Sequence, residues 1–360
     1  MPKRTTKAQL PVRALLEREI VRRLEKNQSG EVLYVGLNPA DDPMGWLPGL
    51  NRPVTVFFFD AWQYESARSR APAECNIRLH CDTDLPDEKY DTVVVSISYQ
   101  GEAELTRDVL QQAHQRLKQE GWLWAIVDNP SDRWLADQLQ LLFGAAKREV
   151  IEQCVFYQAQ KKSELRRVRD FWCEFPFRDV ERLLWAYSRP GVFAHRRVDP
   201  GARRLLEAMH VHPDMRILEI GCGSGVVSLA AAARQPSATV YAIDSHTRAV
   251  QCLVRAAHRN ALSNVVAKVY SHNDYQTFGR FDLIITNPPY YSRFEIARRF
   301  LEGASAALNP GGMLLLVTKH ASWYQENILQ WFAYAKIEPV RSGYWIVRAS
   351  HDEVLDGTNS

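Results

Sequence analysis

The chain has 360 residues, 46% of them hydrophobic and 24% charged, and its formal net charge is +3 at pH 7. This length allows two domains with substantial cores, and the composition is ordinary for a globular protein. No apolar run approaches the roughly twenty residues of a transmembrane helix, and the basic first residues do not lead into the apolar stretch of a secretory signal. We therefore expect a cytoplasmic protein with no membrane partner.

The six cysteines predict neither disulfides nor a metal site. They form no Cys-x-x-Cys pair, and no histidine cluster of zinc-binding spacing lies near them. We expect reduced thiols, most of them in the core, and no bound metal.

The first half of the chain predicts a helix followed by strands. Residues 12–26 place apolar and basic side chains on opposite faces of a helix. The apolar face consists of Leu15, Leu16, Ile20, Val21 and Leu24. Strands are predicted over 31–36 and over 55–60, the second ending in Asp60, and a further strand is predicted over 90–95.

A basic and aromatic segment, residues 161–204, connects the two halves. It has twelve lysines and arginines against six acidic residues, with aromatic residues interleaved. Clustered cations among aromatic rings suit phosphate contact combined with base stacking. Alternatively, the rings form core and the arginines form a solvated face, and the sequence leaves both interpretations open.

A glycine-rich turn organises the second half. A short apolar strand over 216–220 leads into Gly221, Gly223 and Gly225, and a helix-forming run follows over 226–233. A strand, a glycine turn and a helix in this order form the ligand-binding corner of a doubly wound sheet. Glycines let the backbone turn sharply and let a ligand approach closely. The spacing differs by one residue from the dinucleotide fingerprint, which weakens a nicotinamide-cofactor interpretation.

Two acidic residues follow the next strands. Asp244 ends the apolar strand over 239–243, about twenty residues after the glycine turn, where an acid is placed to accept ribose hydroxyls. Asp274 follows a strand-like run over 265–270.

A buried strand over 281–286 ends in Asn287, Pro288, Pro289 and Tyr290. An exocyclic amine on a base is a poor nucleophile, so its nitrogen must be reshaped and aimed for in-line attack. The side-chain carbonyl of Asn287 and the main-chain carbonyl of Pro288 can accept its two N–H groups, and the prolines hold these acceptors in place. Tyr290 offers a face on which a flipped or single-stranded base can stack. These four residues are the catalytic candidates.

The two halves of the chain resemble each other. Residues 90–95 align with 281–286, and the alignment continues without a gap until Gly121 falls on Gly312. Self-similarity of this length predicts a tandem duplication of one α/β domain.

The first copy differs from the second where the chemistry lies. Asn38 and Ala40 stand where the second copy has two of its glycines, and residues 96–98 read Ser-Ile-Ser where the second copy has Asn-Pro-Pro. We expect the first copy to be degenerate and to serve RNA binding or folding.

Together these features resemble class I S-adenosylmethionine (SAM) methyltransferases. The resemblance is strongest to the bacterial ribosomal RNA guanine-N2 enzymes known as small-subunit methyltransferase C and large-subunit methyltransferase G. The duplication, Asn287 to Tyr290, residues 189–193 and residues 199–201 carry the resemblance. It implies two tandem doubly wound, Rossmann-like α/β domains. The implied division is a degenerate domain over 1–160, a linker over 161–188, a catalytic domain over 189–350 and a tail over 351–360.

The resemblance also implies a cofactor and a partner. SAM would be bound by Glu219, Gly221, Gly223, Gly225, Asp244 and Asp274. Glu219 would orient the ammonium group, the glycines would line the methionine moiety, Asp244 would hold the ribose and Asp274 would meet the adenine amine. The partner would be ribosomal RNA or a ribosomal subunit, and the enzyme would be a monomer.

Other functions stay open at this point. Tyrosine at position 290, where the family usually has phenylalanine, is also seen in adenine-N6 and glutamine-N5 methyltransferases. An adenine-N6 enzyme acting on RNA or DNA is therefore one alternative. A release-factor glutamine methyltransferase is disfavoured by the duplication and the basic segment. A non-catalytic RNA-binding assembly factor is disfavoured by the intact motifs of the second copy.

Overall fold

The computed structural model describes residues 12–26, 30–38, 41–289 and 294–353. The chain folds into two compact units, one up to Phe171 and one from Trp172 onward. Each unit is built around its own seven-stranded sheet. None of the helices in these ranges has the length and apolar character needed to cross a lipid bilayer.

The first unit has helices on both faces of its sheet. Its strands lie in the order β3-β2-β1-β4-β5-β7-β6, and the last two form antiparallel pairs. The strands are β1 Val32–Gly36, β2 Val54–Phe58, β3 Ile77–Cys81, β4 Tyr90–Ile97, β5 Leu117–Val127, β6 Lys147–Ile151 and β7 Cys154–Gln160. The helices are α1 Val12–Lys26, α2 Ala61–Arg70, α3 Ala103–Arg116 and α4 Trp134–Phe143.

Strand β1 shows why these apolar runs form central strands. Leu33 and Val35 pack with α3 and α4, whereas Val32 and Tyr34 pack with α1 and α2. Successive side chains of a strand point to opposite faces, so a strand covered on both sides is apolar throughout. The predicted inward face of α1 is confirmed: four of its five residues are buried, and Val21 packs against them.

The second unit repeats this architecture. Its sheet has the order β12-β11-β10-β13-β14-β16-β15. Its strands are β10 Arg216–Ile220, β11 Thr239–Asp244, β12 Val265–Val269, β13 Phe281–Thr286, β14 Leu308–Thr318, β15 Tyr334–Pro339 and β16 Trp345–Ser350, and the hairpin β8 Cys173–Asp179 and β9 Arg182–Ser188 forms a separate sheet. Its helices are α5 Pro200–Ala208, α6 Val226–Arg234, α7 Thr247–Arg259, α8 Glu295–Ala307 and α9 Ala321–Asn327.

The predicted tandem Rossmann-like fold is confirmed. Both sheets also have the same irregularity in strand register. In the first unit the register between β4 and β5 shifts after Tyr90, which pairs with Leu117. In the second unit the register between β13 and β14 shifts after Phe281, which pairs with Leu308. These are matching positions of the duplication, so the two copies have kept the same break in pairing.

Asp60, which ends the strand predicted over 55–60, lies beyond the observed strand β2 and is not the counterpart of Asp244. Val35 pairs with Phe57 in the first sheet and Ile220 pairs with Ile243 in the second. The counterpart of Asp244 is therefore Phe58, whereas Asp60 is the N-cap of α2 and accepts hydrogen bonds from two backbone amides there. Asp60 thus begins a helix, and it does not end a ligand-binding strand.

The hairpin of β8 and β9 comes from the later part of the segment predicted as a linker. Phe175, Phe177 and Leu184 are buried in the core of the second unit. The rings of Phe175, Phe177 and Tyr187 are therefore core and are not exposed platforms for base stacking, whereas Trp185 is half-buried. Asp179 fastens the hairpin to α6, because its two carboxylate oxygens accept from the Arg234 guanidinium at 2.6 and 2.9 Å.

We predict that Asp179→Ala lowers the free energy of unfolding of the protein by about 3 kcal/mol, because it leaves a largely buried guanidinium without its carboxylate partner. Urea denaturation followed by circular dichroism measures this. Glu65→Ala removes an exposed ion pair with Arg68 on α2 and should change stability by less than about 1 kcal/mol. Equal effects of the two substitutions would contradict the prediction.

Candidate functional site

The glycine turn after β10 has the conformation that its sequence predicts. Gly221, Gly223 and Gly225 have φ of 75°, 52° and 77°, in the left-handed region that favours glycine. The amides of Gly221 and Cys222 both donate to the carbonyl of Ile243, at 2.9 and 3.1 Å. The turn is thus fixed to the end of the neighbouring strand β11.

The glycines have different surroundings. Gly221 and Gly223 line a pocket at the carboxyl end of the sheet. Gly225 serves packing, because a Cβ there would lie 2.5 Å from the Leu253 side chain of α7. Above Gly223 lies Phe193, whose side chain is 63% exposed although it is aromatic.

Glu219 is a buried carboxylate on the floor of this pocket. It accepts hydrogen bonds from the amide of Ser228, at 2.8 Å, and from the Ser228 hydroxyl. Burial raises the pKa of the Glu219 carboxyl from 4.5 to about 8, against these hydrogen bonds, and Asp244 adds to the increase. No cationic side chain of the described residues lowers that pKa. Such a group suits a cationic ligand.

Asp244 lies at the end of β11, beside the glycine turn. One carboxylate oxygen accepts from the amide of Gly223 and the other from the amide of His246, both at 2.9 Å. Asp244 therefore holds the turn. It does not line the pocket of Glu219, and its contact with a ribose stays a prediction.

Asp274 follows β12 and is exposed. Its carboxylate accepts a hydrogen bond from the Tyr270 hydroxyl, and burial together with this bond raises the pKa of Tyr270. Asp274 does not line the pocket that Glu219 and the glycines share.

Asn287, Pro288 and Pro289 leave β13 next to the glycine turn. The two strand ends are joined by the Thr286 hydroxyl, which donates to the carbonyl of Ile220 at 2.9 Å. Asn287 is half-buried and lines the same pocket as Glu219. Tyr290, the fourth catalytic candidate, lies outside the described residues.

Sequence reasoning did not place Phe193 or Asp199 in the site, although both line the pocket. The Asp199 carboxylate accepts from the Asn287 amide group at 3.0 Å and from the amide of Ala202 at 3.0 Å, which makes it the N-cap of α5. An aspartate followed by proline is a helix-start signal that the sequence already contained. What the sequence could not show is that the cap faces Asn287.

The corresponding place in the first unit is filled by its own side chains. Tyr34 pairs with Val94 as Glu219 pairs with Ile285, so Tyr34 is the counterpart of Glu219. The Tyr34 hydroxyl donates to Asp41 at 2.9 Å, and Asp41 also lies against Gly36, where a Cβ would meet it at 2.9 Å.

Within the described ranges, no group of three or more His, Cys, Asp or Glu side chains could hold a metal ion. All six cysteines are free thiols.

The second unit is similar to domains of known methyltransferases. Residues 184–348 match the methyltransferase small domain. A ribosomal RNA small subunit methyltransferase C of Shewanella piezotolerans is 28% identical over 75% of this chain and 80% of its own length. One from Mannheimia succiniciproducens is 30% identical over 59% of this chain and 65% of its own length. The chain is thus similar to ribosomal RNA small subunit methyltransferases C. The matched small domain includes the glycine turn, Glu219, Asp199 and Asn287.

A solved structure agrees with this similarity at the level of the fold. The 16S rRNA N2 methyltransferase of T. thermophilus, in complex with AdoMet and guanosine, superposes with a TM-score of 0.77. The superposition covers 96% of this chain and 93% of that one, at 23% sequence identity. The relative therefore has the same two-unit fold.

We predict that Glu219 makes the stability of the ligand-free protein fall as pH rises from about 4.5 to about 8. Over this range the unfolded chain releases the Glu219 proton while the folded chain keeps it. The contribution of Glu219 to stability is therefore fully present below pH 4.5 and is lost as the pH rises to about 8. The contribution is about 5 kcal/mol at most. Urea unfolding of the wild type and Glu219→Gln across this range measures it. Parallel pH profiles for the two proteins would contradict the prediction.

Proposed function

We propose that the second unit transfers a methyl group from SAM to an exocyclic amine, N2 of a guanine in ribosomal RNA. The observation that carries the proposal is that Glu219 and Asn287 line one pocket. Glu219 suits a cation and Asn287 suits an amine donor, so both reactants have a chemically matched partner at one place.

The residues present fit SAM, which supplies an electrophilic methyl group on its sulfonium. Glu219 is buried and has no cationic partner among the described side chains, and it would pair with the ammonium of the methionine moiety. Gly221 and Gly223 leave the pocket wall free of side chains. Asp244 would hold the ribose, because each carboxylate oxygen can accept more than one hydrogen bond. Asp274 would contact the adenine end of the cofactor.

The residues after β13 would prepare the amine. The lone pair of an exocyclic amine is delocalised into the base, so the free amine is flat and a weak nucleophile. The Asn287 carbonyl oxygen and the main-chain carbonyl of Pro288 would accept its two N–H groups and turn its lone pair toward the methyl group. The proton that the methylated amine carries can then leave to solvent, and this step needs no strong base.

The relatives support guanine as the acceptor. They are named small-subunit ribosomal RNA methyltransferases, and the superposed T. thermophilus enzyme is an N2 methyltransferase in complex with guanosine. The amine at adenine N6 could donate to the same two carbonyl oxygens, so adenine N6 is the alternative acceptor.

We further propose that the first unit and the basic segment serve RNA binding, in a monomeric cytoplasmic enzyme. The first unit lacks the Glu219 carboxylate and keeps its counterpart site filled, so we assign no chemistry to it. Arg166 and Arg167 are exposed and have no ion-pair partner among the described residues, which suits contact with phosphates.

We predict that Asn287→Ala reduces kcat for methyl transfer to ribosomal RNA by about 100-fold or more, because one amine acceptor is lost. The assay measures transfer of a labelled methyl group from SAM to small-subunit RNA or particles from cells that lack the protein. Nucleoside analysis of the labelled RNA then identifies the product. The expected product is N2-methylguanosine.

The matched control is Asn309→Ala, an asparagine near the opposite end of β13 that donates to Asp282. It should leave kcat within about twofold of the wild type. Labelled N6-methyladenosine would replace the guanine assignment by adenine N6, the alternative acceptor. Equal rates for wild type and Asn287→Ala would remove Asn287 from the mechanism.

We predict that the double substitution Arg166→Ala and Arg167→Ala weakens RNA binding and reduces its salt dependence. Two fewer phosphate contacts should reduce the magnitude of the slope of log K against log salt concentration by about 1.4. Fluorescence titration of labelled RNA at several salt concentrations measures the slope. The control is Arg68→Ala with Arg70→Ala, a pair of arginines already bound to Glu65 and Asp42. A slope unchanged by the first pair would exclude it from the RNA contact.

A further inference from the structure

Asp199 and Asn287 form a side-chain pair that the reaction described above does not explain. They are 88 positions apart in the sequence, one at the start of α5 and the other after β13. The Asn287 amide nitrogen donates to a carboxylate oxygen of Asp199 at 3.0 Å, and both residues line the pocket.

This contact determines which way the asparagine side chain points. An asparagine amide has a donor end and an acceptor end of nearly the same shape, and an ionised carboxylate can only accept. The NH₂ end of Asn287 must therefore face Asp199, because the reverse orientation would set two oxygens against each other. The carbonyl oxygen of Asn287 is left facing away from the carboxylate.

The first turn of α5 is shaped around this pair. A Cβ on Gly201 would lie 2.8 Å from the Asp199 carboxylate and 3.1 and 3.3 Å from the nitrogen and oxygen of the Asn287 amide. Gly201 is buried, and its φ is not in the left-handed region, so its backbone would tolerate alanine. The side-chain contact, rather than the backbone, requires glycine at this position.

We propose that Asp199 is a positioning residue that fixes the Asn287 amide with its oxygen toward the amine of the substrate. The charged hydrogen bond on the nitrogen also polarises the amide and makes its oxygen a better acceptor. Asn287 then presents an acceptor only, so the site selects bases with an exocyclic amine and rejects those with a carbonyl in that place. The inference rests on the proposed amine methylation and adds to it the origin of its amine selectivity.

Three substitutions separate this role from the capping of α5. Asp199→Ser keeps an N-cap oxygen but is too short to reach Asn287. Asp199→Asn keeps both hydrogen bonds, because its amide oxygen can accept from the amide of Ala202 and from the side chain of Asn287. Gly201→Ala keeps Asp199 and displaces the pair. We expect kcat to fall about tenfold or more in Asp199→Ser and Gly201→Ala, and to stay within about threefold of the wild type in Asp199→Asn.

A double-mutant cycle tests whether the effect passes through Asn287. Asp199→Ser should slow the wild type but should not slow Asn287→Ala any further, because the amide that it orients is already absent. A purely structural role for Asp199 would slow both backgrounds alike. Additive losses, or an unchanged kcat in Asp199→Ser, would overturn the proposal.

A second readout does not depend on the identity of the substrate. In protein labelled with ¹⁵N-asparagine, the amide proton pair of Asn287, identified by its loss in Asn287→Ala, should shift in Asp199→Ser and much less in Asp199→Asn. Unchanged resonances in Asp199→Ser would overturn the proposal. If the wild type methylates an acceptor other than guanine N2, the proposed function is wrong. The resonances of Asn287, and the double-mutant cycle measured with that other acceptor, still decide the role of Asp199.

Discussion

The parallel pairing of β10 with β13 is the constraint on which the site depends. Ile220 and Thr286 are partners in this register, and the Thr286 hydroxyl binds the Ile220 carbonyl at 2.9 Å. Because parallel strands end at the same edge of a sheet, the glycine turn and Asn287 emerge side by side although they are distant in sequence. A slip of one residue would turn every side chain of β13 to the opposite face and separate the two halves of the pocket.

Much of this arrangement could be predicted from the sequence, since strands with apolar side chains on both faces and glycines at a sharp turn are local signals. The two-copy architecture was predictable for the same reason, because the matching positions still form matching strands. Asp60 shows the limit of such reasoning. An acid near the end of a strand looks the same whether it faces a ligand or caps the next helix. Only the register of the strands, which makes Phe58 the counterpart of Asp244, distinguishes the two cases.

The contact between Asp199 and Asn287 was beyond prediction for a different reason. The sequence showed a helix-start signal at Asp199 and a pair of acceptors after β13, but no local pattern links positions 88 apart. The aromatic rings of the hairpin were ambiguous in the same way. Phe175 and Phe177 read equally well as exposed stacking platforms or as core until the packing of the hairpin on the second unit is known.

The difference between the two copies follows from what a ligand site requires of a folded chain. The second unit keeps a buried carboxylate, Glu219, with no cation of its own among the described residues, and burial of that group opposes its ionisation. At the matching position the first unit has Tyr34, a neutral phenol whose hydroxyl is paired with Asp41. In a copy that binds no ligand, a buried acid without a cationic partner only lowers the stability of the fold. A phenol whose hydroxyl is hydrogen-bonded avoids this cost and leaves the strand pairing unchanged. The first unit could therefore lose its site and retain its fold.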